Sequence, residues 1–81
     1  MKIQVEDARV KDGVVKIYGI DYFDRKSKIL VEIDTKKKDN FDYLKWRLQK
    51  YPWTRKCKTW GQVLKNLVGK EIEVRKEYKV A

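Results

Sequence analysis

The stretch VEDARVKDGVVKIYGI, residues 5–20, decides the fold of this chain. Apolar and polar residues alternate as in a half-buried β-strand, and the alternation slips by one residue at Asp7, which is typical of a β-bulge. Asp12 and Gly13 then separate two β-rich runs, and this pair favours a type I′ turn because both central residues need positive φ. The stretch therefore predicts two antiparallel strands joined by a tight hairpin.

Two further strands complete the predicted sheet. One spans residues 29–35 and the other residues 71–80, and both alternate apolar with charged side chains. With two helices between them, the order β-β-β-α-α-β predicts a single α+β domain over residues 1–81, in which both helices pack on one face of a small antiparallel sheet. A small OB- or SH3-like barrel is the alternative, because a strongly bent meander closes on itself.

The two helices carry different boundary signals. The first is expected to begin at Asp39 or Asn40, which are good N-cap residues, and to end before Pro52. The second has a clearer start, because Thr59 and Gln62 have the spacing of a capping box and an amphipathic apolar pattern follows them.

The composition narrows the class of protein. With 42% hydrophobic residues the chain can build one small core, and no apolar run approaches the roughly 18 residues of a membrane span. It has no His and a single Cys, Cys57, which excludes Cys/His zinc sites and Ser-His-Asp or Cys-His catalysis. A lone Cys and the lack of a signal-like apolar run after Met1 predict a cytoplasmic protein. High Lys and Glu usage resembles that of hyperthermophile proteins.

Positive charge is concentrated in residues 43–70, called the basic segment below. It holds eight of the 21 basic residues and none of the 12 acidic ones, so nearly all of the net charge of +9 lies there. Basic side chains neutralise phosphates, and aromatic rings stack on unpaired bases. The segment therefore predicts non-catalytic nucleic-acid binding that needs no cofactor. The candidate contact residues are Lys45, Trp46, Arg47, Lys50, Trp53, Arg55, Lys56 and Lys58.

Other interpretations of the same residues stay open. An acidic protein is an alternative partner, because it would also complement the positive charge. Trp46 projects opposite the apolar stripe of the first helix at 100° per residue, and Trp53 follows the Pro52 break. Both are either exposed contact residues or part of the core. Trp60 opens the apolar face of the second helix and is expected in the core.

A separate pattern lies in residues 18–36. By the strand period of two, Glu32, Asp34 and Lys36 share one face, and Asp21 ends the preceding strand. Carboxylates bind Mg²⁺, and a neighbouring Lys assists phosphodiester cleavage. The stretch resembles the catalytic hairpin of the restriction-endonuclease-like PD-(D/E)xK nucleases, although no Pro precedes Asp21. The resemblance implies a Mg²⁺-dependent nuclease with catalytic Asp21, Asp34 and Lys36 and metal ligands Asp21, Glu32 and Asp34. The alternative is a solvated face of the strand.

Overall fold

The computed structural model describes residues 1–74, and its sheet is built on the predicted hairpin. Strands β1 (Lys2–Lys11) and β2 (Val14–Asp21) are antiparallel. Between them, Asp12 and Gly13 have φ values of 53° and 76°. Both lie in the left-handed region that a type I′ turn requires, so the predicted turn is confirmed. The Thr35 hydroxyl donates to the Gly13 carbonyl at 2.7 Å and ties the turn to the end of the next strand.

The predicted bulge in β1 is also present. The register of β1 against β2 shifts between Val5 and Asp7. Gly19 pairs with Val5 beside this bulge, and a Cβ atom at position 19 would lie 2.8 Å from the Gln4 carbonyl oxygen. Since that distance is too short for a side chain, the close approach of the two backbones requires glycine at position 19.

The four strands form one antiparallel sheet in the order β3-β2-β1-β4. Strand β3 (Lys28–Asp34) pairs with β2, and β4 (Glu71–Glu73) pairs with the start of β1. The sheet curls into a half-barrel, so the α+β architecture is confirmed together with the curvature that the barrel alternative implied. The predicted continuation of the last strand to residue 80 lies outside the described residues.

Helix α1 (Lys38–Leu48) begins one turn after β3. The Asp34 carboxylate accepts the Lys36 N–H at 2.9 Å, and the Asp34 carbonyl accepts the Lys37 N–H at 3.0 Å. This tight turn starts the helix at Lys38, and its cap residue Lys37 makes no side-chain hydrogen bond to the helix. The cap predicted at Asp39 or Asn40 is therefore wrong, because both residues already lie inside the helix.

A short 3₁₀ helix (Pro52–Lys56), which the sequence did not predict, links α1 to α2 (Trp60–Leu67). The start of α2 confirms the predicted capping box: the Thr59 hydroxyl accepts the Gln62 N–H at 3.2 Å. The Gln62 side chain in turn accepts the backbone N–H of Lys58 at 2.7 Å, one residue earlier than in the standard arrangement.

The core lies between the helices and one face of the sheet. Alternate residues of the strands point inward and meet the apolar sides of α1 and α2, and no charged residue in the described part of the chain is buried. None of the described helices is both long and apolar enough to span a membrane. The buried residues are Ile3, Val5, Val15, Ile17, Ile29, Val31, Ile33, Leu44, Leu48, Val63, Leu64, Leu67, Ile72 and Val74.

Candidate nucleic-acid interface

The basic segment folds into most of α1, the 3₁₀ helix and α2, so its charges lie on the helical layer of the molecule. Each helix buries its apolar side against the sheet, and its Lys and Arg side chains are exposed or half-buried. The basic residues of this one sequence segment therefore lie in one layer of the structure. Two cavities and one exposed aromatic cluster lie in this layer.

The first cavity, called the lysine groove, is an open depression of about 490 Å³ between the 3₁₀ helix and α2. The groove is lined by the aromatic ring of Trp53 and by three lysines, Lys56, Lys65 and Lys70. No carboxylate lines it. The Lys70 Nζ atom lies 5.7 Å from the centre of the Trp53 ring. Among residues 1–74, none of the three lysines takes part in an ion pair. The lining residues are Trp53, Lys56, Cys57, Gln62, Lys65, Asn66 and Lys70.

The second cavity, called the interhelix cavity, is a depression of about 250 Å³ between α1 and the start of α2. It shares Cys57 with the lysine groove, so the two cavities adjoin at that residue. Its apolar wall includes the Trp60 ring, and again no acidic residue lines it. The lining residues are Lys45, Leu48, Gln49, Thr54, Cys57, Lys58, Thr59, Trp60 and Val63.

The exposed aromatic cluster lies on the outer side of α1. Trp46 is 53% exposed, which places it on the surface and not in the core. Lys50 lies one turn later with its Nζ atom 4.0 Å from the centre of the Trp46 ring, within cation–π range. Tyr43 flanks the indole on its other side along the helix, with ring centres 5.9 Å apart. The cluster is an exposed indole with a positive charge over its ring.

The other two tryptophans are half-buried. Trp53 packs against the edge of the core and stacks on Tyr51 with ring centres 6.3 Å apart, yet it also lines the lysine groove. The core interpretation of Trp53 therefore describes one part of its ring, and its role as a contact residue stays a prediction. Trp60 was expected in the core, and it packs at the core's edge beside Phe41 with ring centres 5.6 Å apart.

Two predicted contact residues are less available for contact with a phosphate than the sequence indicated. Lys45 is paired with Asp42 of the same helix, with Nζ and Oδ1 3.3 Å apart, so part of its charge is neutralised. Arg47 is half-buried, and its Nε atom is buried without a hydrogen-bond partner among residues 1–74. Lys50, Arg55, Lys56 and Lys58 are exposed, as a contact with phosphate requires.

Lys65 and Lys70 line the lysine groove although the predicted set of contact residues omitted them. Lys56 lines the same groove, although it lies nine residues or more away along the chain. The only sequence signal was the absence of acidic residues over the whole basic segment. Their convergence depends on how α2 packs beside the 3₁₀ helix, and no local pattern specifies that.

The pairing of β2 with β3 does not bring the nuclease-like carboxylates together. Asp34 pairs with Val14 at the start of β2, whereas Asp21 lies at the end of that strand. Seven residues at about 3.3 Å each put roughly 23 Å between the two positions. No group of three or more potential metal-ligating residues occurs within residues 1–74. The arrangement that the resemblance implied for Asp21, Glu32, Asp34 and Lys36 is therefore not assembled.

Instead, the carboxylates of Asp21 and Asp24 accept hydrogen bonds that stabilise the turn between β2 and β3. Asp21 accepts the Phe23 N–H at 2.8 Å, and Asp24 accepts the backbone N–H groups of Lys26 and Ser27 at 2.8 and 2.9 Å. The Ser27 hydroxyl also donates to Asp24. This side-chain bond, followed by the two backbone bonds, lowers the pKa of Asp24 from its usual value of 3.8. These carboxylates therefore stabilise the conformation of the turn.

Comparison with known proteins finds no family model, no curated protein and no solved structure that matches this chain.

Proposed function

We propose that this protein binds nucleic acid, without catalysis, through the helical layer formed by the basic segment. The observation that carries the proposal is the lysine groove, in which Lys56, Lys65 and Lys70 line the same depression as Trp53 and lack acidic partners among the described residues. Ammonium groups that are close together and unpaired repel one another. A phosphate backbone relieves that repulsion and releases its own condensed cations on binding.

The aromatic groups support nucleic acid over a generic anion. Trp46 is exposed beside Lys50, and Trp53 forms the wall of the lysine groove. An exposed indole next to an ammonium group can stack on a base while the charge contacts the adjacent phosphate. An acidic protein surface would complement the lysines, but it offers no unpaired bases that stack on these rings. Binding in the cytoplasm is part of this proposal.

A salt titration distinguishes binding at the lysine groove from binding that depends only on the net charge of the protein. Binding of labelled oligonucleotides is measured at several salt concentrations for the natural protein and for two triple Lys→Gln variants. One variant removes Lys56, Lys65 and Lys70, and the matched control removes Lys11, Lys26 and Lys28, which are exposed on the sheet side. Both variants carry the same net charge.

The expected result is a difference between the two variants. The groove variant should lose about two to three units from the slope of log K against log salt, since each phosphate contact contributes about 0.7–0.9. The control should keep most of the slope. Equal losses in both variants would show that only net charge matters, and no binding at low salt would exclude nucleic acid. Preferential capture of an acidic protein would favour the alternative partner.

A further inference from the structure

We infer that the lysine groove and the interhelix cavity are adjacent subsites for two consecutive nucleotides of an unpaired strand. This inference rests on the proposed function and specifies its substrate as single-stranded nucleic acid. It comes from a feature that the two cavities share. Each has one tryptophan wall, Trp53 in the groove and Trp60 in the interhelix cavity, and each is lined by lysines without any carboxylate.

The aromatic walls favour unpaired bases. In a duplex the flat faces of the bases are stacked inside the helix, so a ring recessed in a cavity cannot reach them. A single strand exposes those faces, and stacking on protein aromatic rings is the usual way in which single strands are held. Volumes of about 490 and 250 Å³ leave room for a base in each depression.

The segment between the cavities gives each subsite its own positive charge. Lys56 lines the lysine groove and Lys58 lines the interhelix cavity, while Cys57 belongs to both. Cys57 has extended backbone, with φ of −90° and ψ of 131°. Two residues of extended chain put the Cα atoms of Lys56 and Lys58 about 6.6 Å apart. Two long, flexible ammonium side chains at that spacing can contact successive phosphates of a stretched strand.

The same segment is held in place by hydrogen bonds. The Cys57 N–H donates to the Thr54 carbonyl at 3.1 Å, and the Lys58 N–H donates to the Gln62 side chain at 2.7 Å. Asn66 donates to the Cys57 sulfur at 3.6 Å. The Gln62 and Asn66 contacts tie this segment to α2, and the Thr54 contact ties it to the 3₁₀ helix. A site that is preorganised in this way loses less conformational entropy when a ligand binds.

The test changes the ligand first, because a variant at Trp60 could weaken the core. Three probes carry about 12 nucleotides per strand: a thymidine strand, an abasic strand with the same phosphates, and a hairpin duplex. We expect the thymidine strand to bind roughly tenfold or more tightly than either other probe at equal salt. The abasic strand should keep a similar salt slope, because its phosphates are unchanged.

A protein variant then assigns the effect to the subsites. Trp53→Leu should weaken binding of the thymidine strand and leave the abasic strand unaffected. Ultraviolet crosslinking of a strand containing iodouracil should map to Trp53, Trp60 or their neighbours. Equal affinity for the thymidine, abasic and duplex probes would overturn the inference, although a steep salt slope would still support the proposed function. No binding to any probe at low salt would exclude both.

Discussion

The sheet and the basic segment differ in how their charged residues are arranged. On the sheet side basic and acidic residues interleave and pair, as in the Lys2–Glu71 contact at 3.4 Å and the Arg9–Asp7 contact at 2.7 Å. The basic segment has eight positive residues and no negative one, and its ion pair within residues 1–74 is with Asp42, outside the segment. Surface ion pairs contribute little to stability. The difference in charge arrangement therefore concerns what each side can bind. Stability comes from the core that both sides share.

Glycine substitutions should give the largest effect on stability, with opposite signs on the two sides. Gly19→Ala places a Cβ atom 2.8 Å from the Gln4 carbonyl oxygen and 3.0 Å from Ile3. We expect a loss of about 1–3 kcal/mol in the free energy of unfolding, measured by urea denaturation. Gly61→Ala in α2 meets its nearest atom only at 3.8 Å. It should stabilise the protein by about 0.4–1 kcal/mol. A neutral Gly19→Ala would contradict the close backbone approach.

Exposed aromatic residues offer the next contrast, because each side has one. Trp46 on α1 is 53% exposed and Phe23 in the β2–β3 turn is 80% exposed. If the helical layer is the interface, Trp46→Leu should weaken single-strand binding by about 1 kcal/mol or more. Phe23→Leu should leave the affinity unchanged. Fluorescence anisotropy measures both, and a larger loss for the Phe23 variant would move the interface to the sheet side.

A smaller effect is expected at the start of α2. Thr59→Ala removes the hydroxyl that accepts the Gln62 N–H and should cost about 1 kcal/mol of unfolding free energy. Thr59→Ser keeps the acceptor and serves as the control. Because Gln62 also holds the Lys58 backbone, hydrogen exchange in the Thr59→Ala variant should rise at Lys58 as well as in α2. Protection that is unchanged at Lys58 would argue against this coupling.

Acid should produce the smallest change, in the β2–β3 turn on the sheet side. The pKa of Asp24 is lower when folded than its usual value of 3.8, mainly because Ser27 donates to it. The stabilisation is present above that value and is lost as the pH falls through the lowered pKa. Amide chemical shifts in the β2–β3 turn should follow this titration, whereas the basic segment has no carboxylate to titrate.

A matched variant checks the cause of the Asp24 shift. Ser27→Ala removes the strongest hydrogen bond to the carboxylate and should return the Asp24 pKa toward 3.8. An Asp24 that titrates at or above 3.8 in the natural protein would show that the turn does not favour the charged form.

Most of the architecture was predictable because it follows from short-range rules. The phase slip at Asp7 predicted the bulge, the Asp12–Gly13 pair predicted the hairpin, and Thr59 predicted the start of α2. In each case the deciding groups lie within a few residues of one another. The error at the start of α1 is also local, since a tight turn at Asp34 started the helix before the expected cap.

The arrangement of the candidate site depends on contacts between distant residues. The sequence alone located the positive charge in residues 43–70 and showed that the chain has no His and a single Cys. The packing of the helices then grouped Lys65 and Lys70 with Trp53, and the strand register separated Asp21 from Asp34. Local patterns determine elements and charge because these depend on neighbouring residues. Cavities and carboxylate distances arise only when separate elements share one core.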